Sequence, residues 1–210
     1  MIRRPPRSTQ GVSSAASDVY KRQPEDLANT PIQVGYHSGS HYSTLQAMLR
    51  FLPQEKVNLN FGGVLWDRLA LLVDGKAEAG NAFGAPYYLL EQLGFRKVLD
   101  TTFMIGALVT NNARTSDVEK YYRALRRAQR DIDIEPERYT HYFLRELPER
   151  YHVMLDVRRM GPGERIVFES YNKEMFENTH RWITDLDLFQ DDQRGNGIYP
   201  ESTVSSAAAE

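Results

Sequence analysis

VGYHSGSHYSTLQAML, residues 34–49, runs from an apolar strand end through a turn of Gly, Ser and His into an amphipathic stretch. Read outward, IQVGYHS is an expected strand, and Leu45, Met48, Leu49 and Leu52 recur at helical spacing with Ser43 as the expected N-cap. A strand that feeds a helix through small polar residues gathers backbone amides and hydroxyls at one point. That point suits a carboxylate, sulfonate, phosphate or polar heterocycle, and the same residues also fit an ordinary strand-to-helix turn. The loop has neither the Lys that follows the glycines of a Walker A motif nor the three spaced glycines of a dinucleotide fingerprint.

Downstream the pattern keeps alternating. VNLNFGG reads as a strand ending in glycines, and WDRLALLVDGK places Leu69, Leu72 and Val73 on one helical face before stopping at Gly75. AEAGNAFG is a weaker strand of small residues, and APYYLLEQLGF starts with Pro86 in its first turn and stops at Gly94. RKVLDT and FMIGALVTN follow as strands, the second apolar throughout and expected to be central. Residues 31–111 therefore read β-α-β-α-β-α-β-β, an α/β sheet covered by helices. Ligands of such sheets collect beyond the carboxyl ends of the strands.

After Thr115 the character changes. SDVEKYYRALRRAQRDI is an amphipathic helix with Ser116 and Glu119 placed as a capping box, and its charge run reads as a solvated face. EPERYTHYFLREL and PERYHVMLDV read as shorter helices or turns. YNKEMFENTHRWITDLDLF is a last helix with Met175, Phe176, Trp182, Ile183 and Leu186 as its apolar stripe. From Gln190 the tail reads as irregular.

The candidate site starts with Ser38, Gly39, Ser40, His41, Tyr42 and Ser43, whose small residues and donors let a ligand approach the backbone. Gly63, Trp66, Asp67, Asn81, Phe83 and Tyr87 fall near helix starts at the same expected edge, where aromatic walls with a few polar groups suit a small-ligand cleft. A core role is the alternative for Trp66 and Phe83, and Asp67 also suits its helix N-terminus. His37 and His41 stand four apart across a break, so they do not share a helical face as metal ligands would. His141, His152 and His180 read as surface or inter-helix residues. No metal, cofactor or catalytic set of nucleophile, base and orienting acid is assigned.

The 210 residues, 41% hydrophobic and 11% aromatic, suffice for one or two domains with a core. A net charge of −2 gives no reason to expect nucleic acid as a partner. The absence of cysteine removes disulfides and thiolate chemistry, and no apolar stretch approaches the roughly 20 residues of a spanning helix. Residues 1–23, MIRRPPRSTQGVSSAASDVYKRQ, closely resemble the translated sequencing-adapter read-through found fused to reading frames in environmental assemblies. They are expected to be foreign and disordered, with the native start and any signal peptide upstream of Pro24. Removing their five basic residues and one acidic residue from the 26 and 28 of the whole chain leaves a net charge of about −6.

PIQVGYHSGSHYSTLQAML, followed by WDRLALLVDGKAEAGNAFGAPYYLLEQLGFRKVLDTT, resembles the second lobe of type II periplasmic substrate-binding proteins, in the group serving alkanesulfonates, nitrate and thiamine-precursor pyrimidines. The match covers roughly residues 31–110, and Asn81 stands where the family has a small or acidic residue. The resemblance implies an α/β fold, a three-layer αβα lobe followed by C-terminal helices. The expected domains are the foreign segment 1–23, a ligand-binding lobe 24–111, a helical region 112–189 and a flexible tail 190–210.

The family fold has two such lobes joined by a two-strand hinge, so a first lobe of about 80–120 residues is expected to be missing upstream. Residues 106–112 are expected to return toward the hinge, with the C-terminal helices packing mainly on the missing lobe. The resemblance further implies a monomeric, non-catalytic receptor, periplasmic or lipid-anchored, that hands a small polar or anionic solute to an ABC permease. Two alternatives share the superfamily. One is a cytosolic thiamine-pyrimidine synthase or aromatic decarboxylase, the synthase disfavoured by the absence of cysteine. The other is the effector domain of a transcription regulator.

Overall fold

In the computed structural model, which describes residues 14–17, 23–102, 112–161 and 173–188, five short strands form one sheet. They are β1 (Ser14–Ser17), β2 (Ile32–Val34), β3 (Leu59–Phe61), β4 (Ala79–Ala82) and β5 (Arg96–Asp100), arranged β3-β2-β4-β1-β5. β2 is parallel to both neighbours, pairing Ile32 with Leu59 on one side and with Ala79 on the other. Helices α1 (Gly39–Met48), α2 (Leu65–Val73) and α3 (Gly84–Gln92) connect successive strands from β2 to β5. This is the α/β order read from the hydrophobic periodicity.

Alternation along β4 divides the helices between two faces. Ala79 packs in a core with Ile32, Val34, Ala47 and Met48, and Asn81 reaches Thr44, so that face carries α1. Gly80 points the other way, where a Cβ would stand 3.0 Å from Leu72 Cδ1, and Ala82 packs with Leu69, Leu72, Leu89 and Leu90 of α2 and α3. The sheet is the middle of three layers. Gly75 (φ 68°) and Gly94 (φ 95°) end α2 and α3 in the left-handed region that glycine enters without strain.

Two expectations are corrected. α1 begins at Gly39 with Ser38 extended at the N-cap (φ −114°, ψ 172°), not after Ser43. The chain has already turned at His37 (φ 44°), so helical geometry starts as soon as the turn closes. The second correction concerns residues 1–23, expected to be disordered. Ser14–Ser17 instead forms β1, antiparallel to both β4 and β5, with Ser14 opposite Ala82 and Asp100. β4 and β5 each present a ladder edge toward the other, and a strand between them satisfies both. Four small residues, SAAS, carry no alternation by which to announce such a strand.

Residues 1–108 with 129–166 form one compact unit, and 109–128 with 167–210 a second. This division departs from the expected boundary at 111 because the segment after α4 (Thr115–Ile134) returns to the α3 face. Leu147, Tyr151 and Leu155 are buried with Leu89 and Leu90, and Gln92 exchanges hydrogen bonds of 2.8 and 3.1 Å with the Asp156 backbone. A short helix, α5 (Phe143–Glu146), belongs to this packing, with Phe143 and Leu144 against the same core. In the second unit the described residues are the first part of α4 and α6 (Lys173–Asp185), where Thr179 and Thr184 donate to the carbonyls of Met175 and His180. The expected strand at 103–111, most of the stretch at 106–112 and the tail from Gln190 lie outside the described residues. Among the described residues no helix is long and apolar enough to cross a membrane.

Candidate functional site

The turn from β2 into α1 is held by a closed set of hydrogen bonds. Gly35 N–H donates to Ser40 Oγ (3.0 Å) and Ser38 Oγ donates to Gly35 O (2.9 Å). Because Ser38 gives its only proton to a carbonyl, the 2.7 Å contact between the two hydroxyls is donated by Ser40. Neither hydroxyl keeps a proton for a ligand. What remains at this point is the start of α1, the amides of its first turn and the positive end of its dipole.

Arg68 reaches the same place from α2. It is 4% exposed, donates Nε to the Asn81 carbonyl (3.2 Å) and Nη1 to the Gly63 carbonyl (3.0 Å), and no carboxylate among the described residues pairs with it. A Cβ on Gly35 would lie 2.8 Å from Ser38 Oγ, 3.1 Å from Arg68 Nη1 and 3.3 Å from Ser40 Oγ, so only glycine lets these three groups converge. Burial pulls the guanidinium below its ordinary value, Asp67 opposing, and an arginine still keeps its charge at neutral pH. The carboxyl ends of β2, β3 and β4 thus meet at a buried cation whose hydrogen bonds among the described residues go to neutral carbonyls. Such a group favours an anion.

An aromatic cluster occupies the ends of β2 and β3. Tyr36 and Phe61 meet edge to face at 4.3 Å, His41 lies edge-on to Phe61 at 5.4 Å, and Tyr42 stacks on His41 at 4.8 Å. His37 hydrogen-bonds through Nδ1 to the Tyr42 hydroxyl, tying the turn to α1. Burial, helped by the neighbouring His37, holds His41 below its usual 6.5, so it is neutral at pH 7. Burial, helped by Tyr36, pushes Tyr42 up. His41 Nδ1 and Ser43 Oγ are buried with no hydrogen-bond partner among the described residues.

The other expected site residues separate into different roles. Gly63 (φ 82°) supplies the carbonyl that Arg68 grips, and Asp67 accepts from Val64 N–H at 3.1 Å, capping α2. Asn81 is fully buried under α1, donating to Thr44 and Thr101 at 3.0 Å each, so it joins layers. Trp66 and Tyr87 pack against the α2–α3 core, Tyr87 donating to Glu91 at 3.3 Å. Burial and Glu91 push the Tyr87 phenol up to about 12. Phe83 is the half-buried N-cap of α3. Among the described residues no group of three or more His, Asp or Glu is placed to hold a metal ion.

Two solved structures are similar to this chain in fold. The alkanesulfonate-binding protein SsuA of Xanthomonas axonopodis pv. citri, bound to MOPS, matches with a TM-score of 0.65 at 14% identity, over 94% of this chain and 68% of that one. The periplasmic aliphatic sulphonate-binding protein SsuA of Escherichia coli matches with a TM-score of 0.58 at 15% identity, over 92% and 67%. This chain has the SsuA fold. No family model and no curated protein matches its sequence.

Within the SsuA fold of this chain, Ser38 to Ser43 lie at the turn and in the first turns of α1, while the side chains of Asn81, Trp66 and Tyr87 pack elsewhere. Arg68, Tyr36 and Phe61 were missed in the sequence reading. Arg68 had a signal, since it lies between Leu65, Leu69 and Leu72 on the apolar side of a helix where arginine is out of place. Tyr36 and Phe61 adjoin the glycines that end their strands, which marks a position but not a neighbour.

Proposed function

We propose that this chain is the solute-binding component of an ABC-type importer, a non-catalytic receptor that works outside the cytoplasm and passes its solute to a membrane permease. The solute is a small organic anion, bound at the carboxyl edge of β2, β3 and β4. The fold supports this reading, since the two SsuA proteins similar to it are an alkanesulfonate-binding and an aliphatic sulphonate-binding protein. The observation that carries it is Arg68, a buried guanidinium with no salt-bridged carboxylate among the described residues, lying against Gly35 beside the start of α1. An oxyanion there receives two N–H groups from a planar fork and favourable dipole from the helix, in a site of reduced dielectric.

Isothermal titration of the purified 210-residue chain tests it. Ethanesulfonate, propionate and methylphosphonate are compared with neutral ethyl methyl sulfone. The expected outcome is saturable binding of at least one anion and none of the sulfone, and an anion at a hundredfold its Kd then stabilises the fold by about 2.7 kcal/mol. Binding of the sulfone as tightly as the anions, or of none of the four, overturns the reading.

A further inference from the structure

On the receptor reading proposed above, we infer that the solute carries a planar aromatic ring on its anionic group, an aryl sulfonate or aryl carboxylate, and that Tyr36 and Phe61 are the residues that select it. Tyr36 is 64% exposed and Phe61 47%, and their rings meet edge to face at 4.3 Å. Single exposed aromatics are ordinary on a protein surface. Two in contact, backed by three more rings, are not. His41 lies edge-on to Phe61 and stacked toward Tyr36 at 6.5 Å, and His37 lies edge-on to Tyr36 at 4.0 Å. The pair is therefore fixed from behind while its outer surface stays open, the arrangement that a third ring completes by stacking or edge contact.

The cation lies one residue away along both strands. Tyr36 follows Gly35, whose absent side chain would touch Arg68 Nη1 at 3.1 Å, and Phe61 precedes Gly62, whose absent side chain would touch Arg68 Cγ at 3.1 Å. Charge and rings thus both occur at the ends of β2 and β3, at residues next to one another in sequence. An alkyl chain gains only area from these rings, whereas an arene also gains the ring-to-ring geometry.

Benzenesulfonate and cyclohexanesulfonate, equal in charge and close in size, separate the two. Titration of the 210-residue chain is expected to show benzenesulfonate binding about tenfold more tightly, the scale one or two aromatic contacts supply. That preference should vanish in Tyr36→Ala and Phe61→Ala, survive in Tyr36→Phe and Phe61→Tyr, and be untouched by Phe51→Ala, an exposed ring outside the cluster. The ring-retaining pair keeps the test valid if an alanine variant fails to fold. Equal binding of the two sulfonates by the wild-type chain overturns this inference and leaves the receptor reading standing. A preference that persists in both alanine variants overturns the assignment to Tyr36 and Phe61. Failure of both sulfonates and of the smaller anions to bind overturns both readings together.

Discussion

Arg68 Nε donates to the carbonyl of Asn81 at 3.2 Å, so a charged side chain of α2 is fastened to the carboxyl end of β4 through a backbone atom. The Asn81 side chain is meanwhile turned to the opposite face, toward Thr44 of α1. One residue of β4 therefore connects all three layers, and a cation is held at the strand ends by acceptors that do not neutralise it.

Replacing Arg68 by Met removes that cation and leaves the Asn81 and Gly63 carbonyls without their donor. Anion affinity is expected to fall at least a hundredfold, and relief of guanidinium burial to offset much of the lost hydrogen bonding, keeping the stability change within about 2 kcal/mol. Titration calorimetry beside a urea melt checks both. Arg68→Lys keeps the charge and loses the fork, so its affinity should lie between the two.

Asn81→Ala deletes two donors buried between α1 and the end of β5 and leaves Thr44 and Thr101 facing a gap. The expected cost is about 2–4 kcal/mol, read as a lower urea midpoint with an unchanged slope. A change below about 0.5 kcal/mol would remove Asn81 from the set of residues that hold the layers together.

Ser40→Ala opens the clasp on Gly35, leaving its buried N–H unpaired at a cost of about 1–2 kcal/mol. Because the Ser40 proton already belongs to Ser38, anion affinity should change far less than in Arg68→Met. Loss of binding with undiminished stability would show that the hydroxyl serves the ligand directly. Gly35→Ala should be worse on both counts, since its Cβ would crowd Ser38 Oγ at 2.8 Å and Arg68 Nη1 at 3.1 Å.

His41 contributes a pH dependence of defined sign. Its pKa is lowered in the folded chain by burial first and by His37 second, so the unfolded chain takes up the proton at higher pH. Stability associated with His41 is complete above about 6.5 and is lost as pH falls below it toward the folded value. His41→Phe keeps a ring beside Phe61 and Tyr42 and cannot titrate. Urea midpoints from pH 7.5 to 5.0 should decline more steeply for the wild-type chain than for the variant; parallel curves would exclude His41 as a source.

Deleting residues 1–22 tests whether β1 is part of the fold. β4 and β5 would lose their common partner, exposing two ladder edges. A lower melting temperature and concentration-dependent aggregation are expected. An unaltered melt with no aggregation would mean that Ser14–Ser17 adds nothing to the sheet.

The alternation of strand and helix from Ile32 to Asp100 was legible because it is local. Leu45 and Met48 lie one helical turn apart, Gly75 and Gly94 mark stops that only their own backbone requires, and Ile32 and Val34 are apolar wherever they pack. The strand-to-helix turn at residues 38–43 was legible for the same reason, since small residues between a strand and a helix expose backbone in any context. β1 was not, because SAAS becomes a strand only where two other strands leave room for it. Nor was the division of labour among polar residues: the sequence offers Ser38, Ser40, Asp67, Arg68 and Asn81 alike as donors or charges. Only the meeting of α2 with the ends of three strands, residues far apart in the chain, uses up the hydroxyls, buries the amide and fastens the arginine to backbone carbonyls. Pairing of buried polar groups depends on the whole packing, and a linear pattern does not carry it.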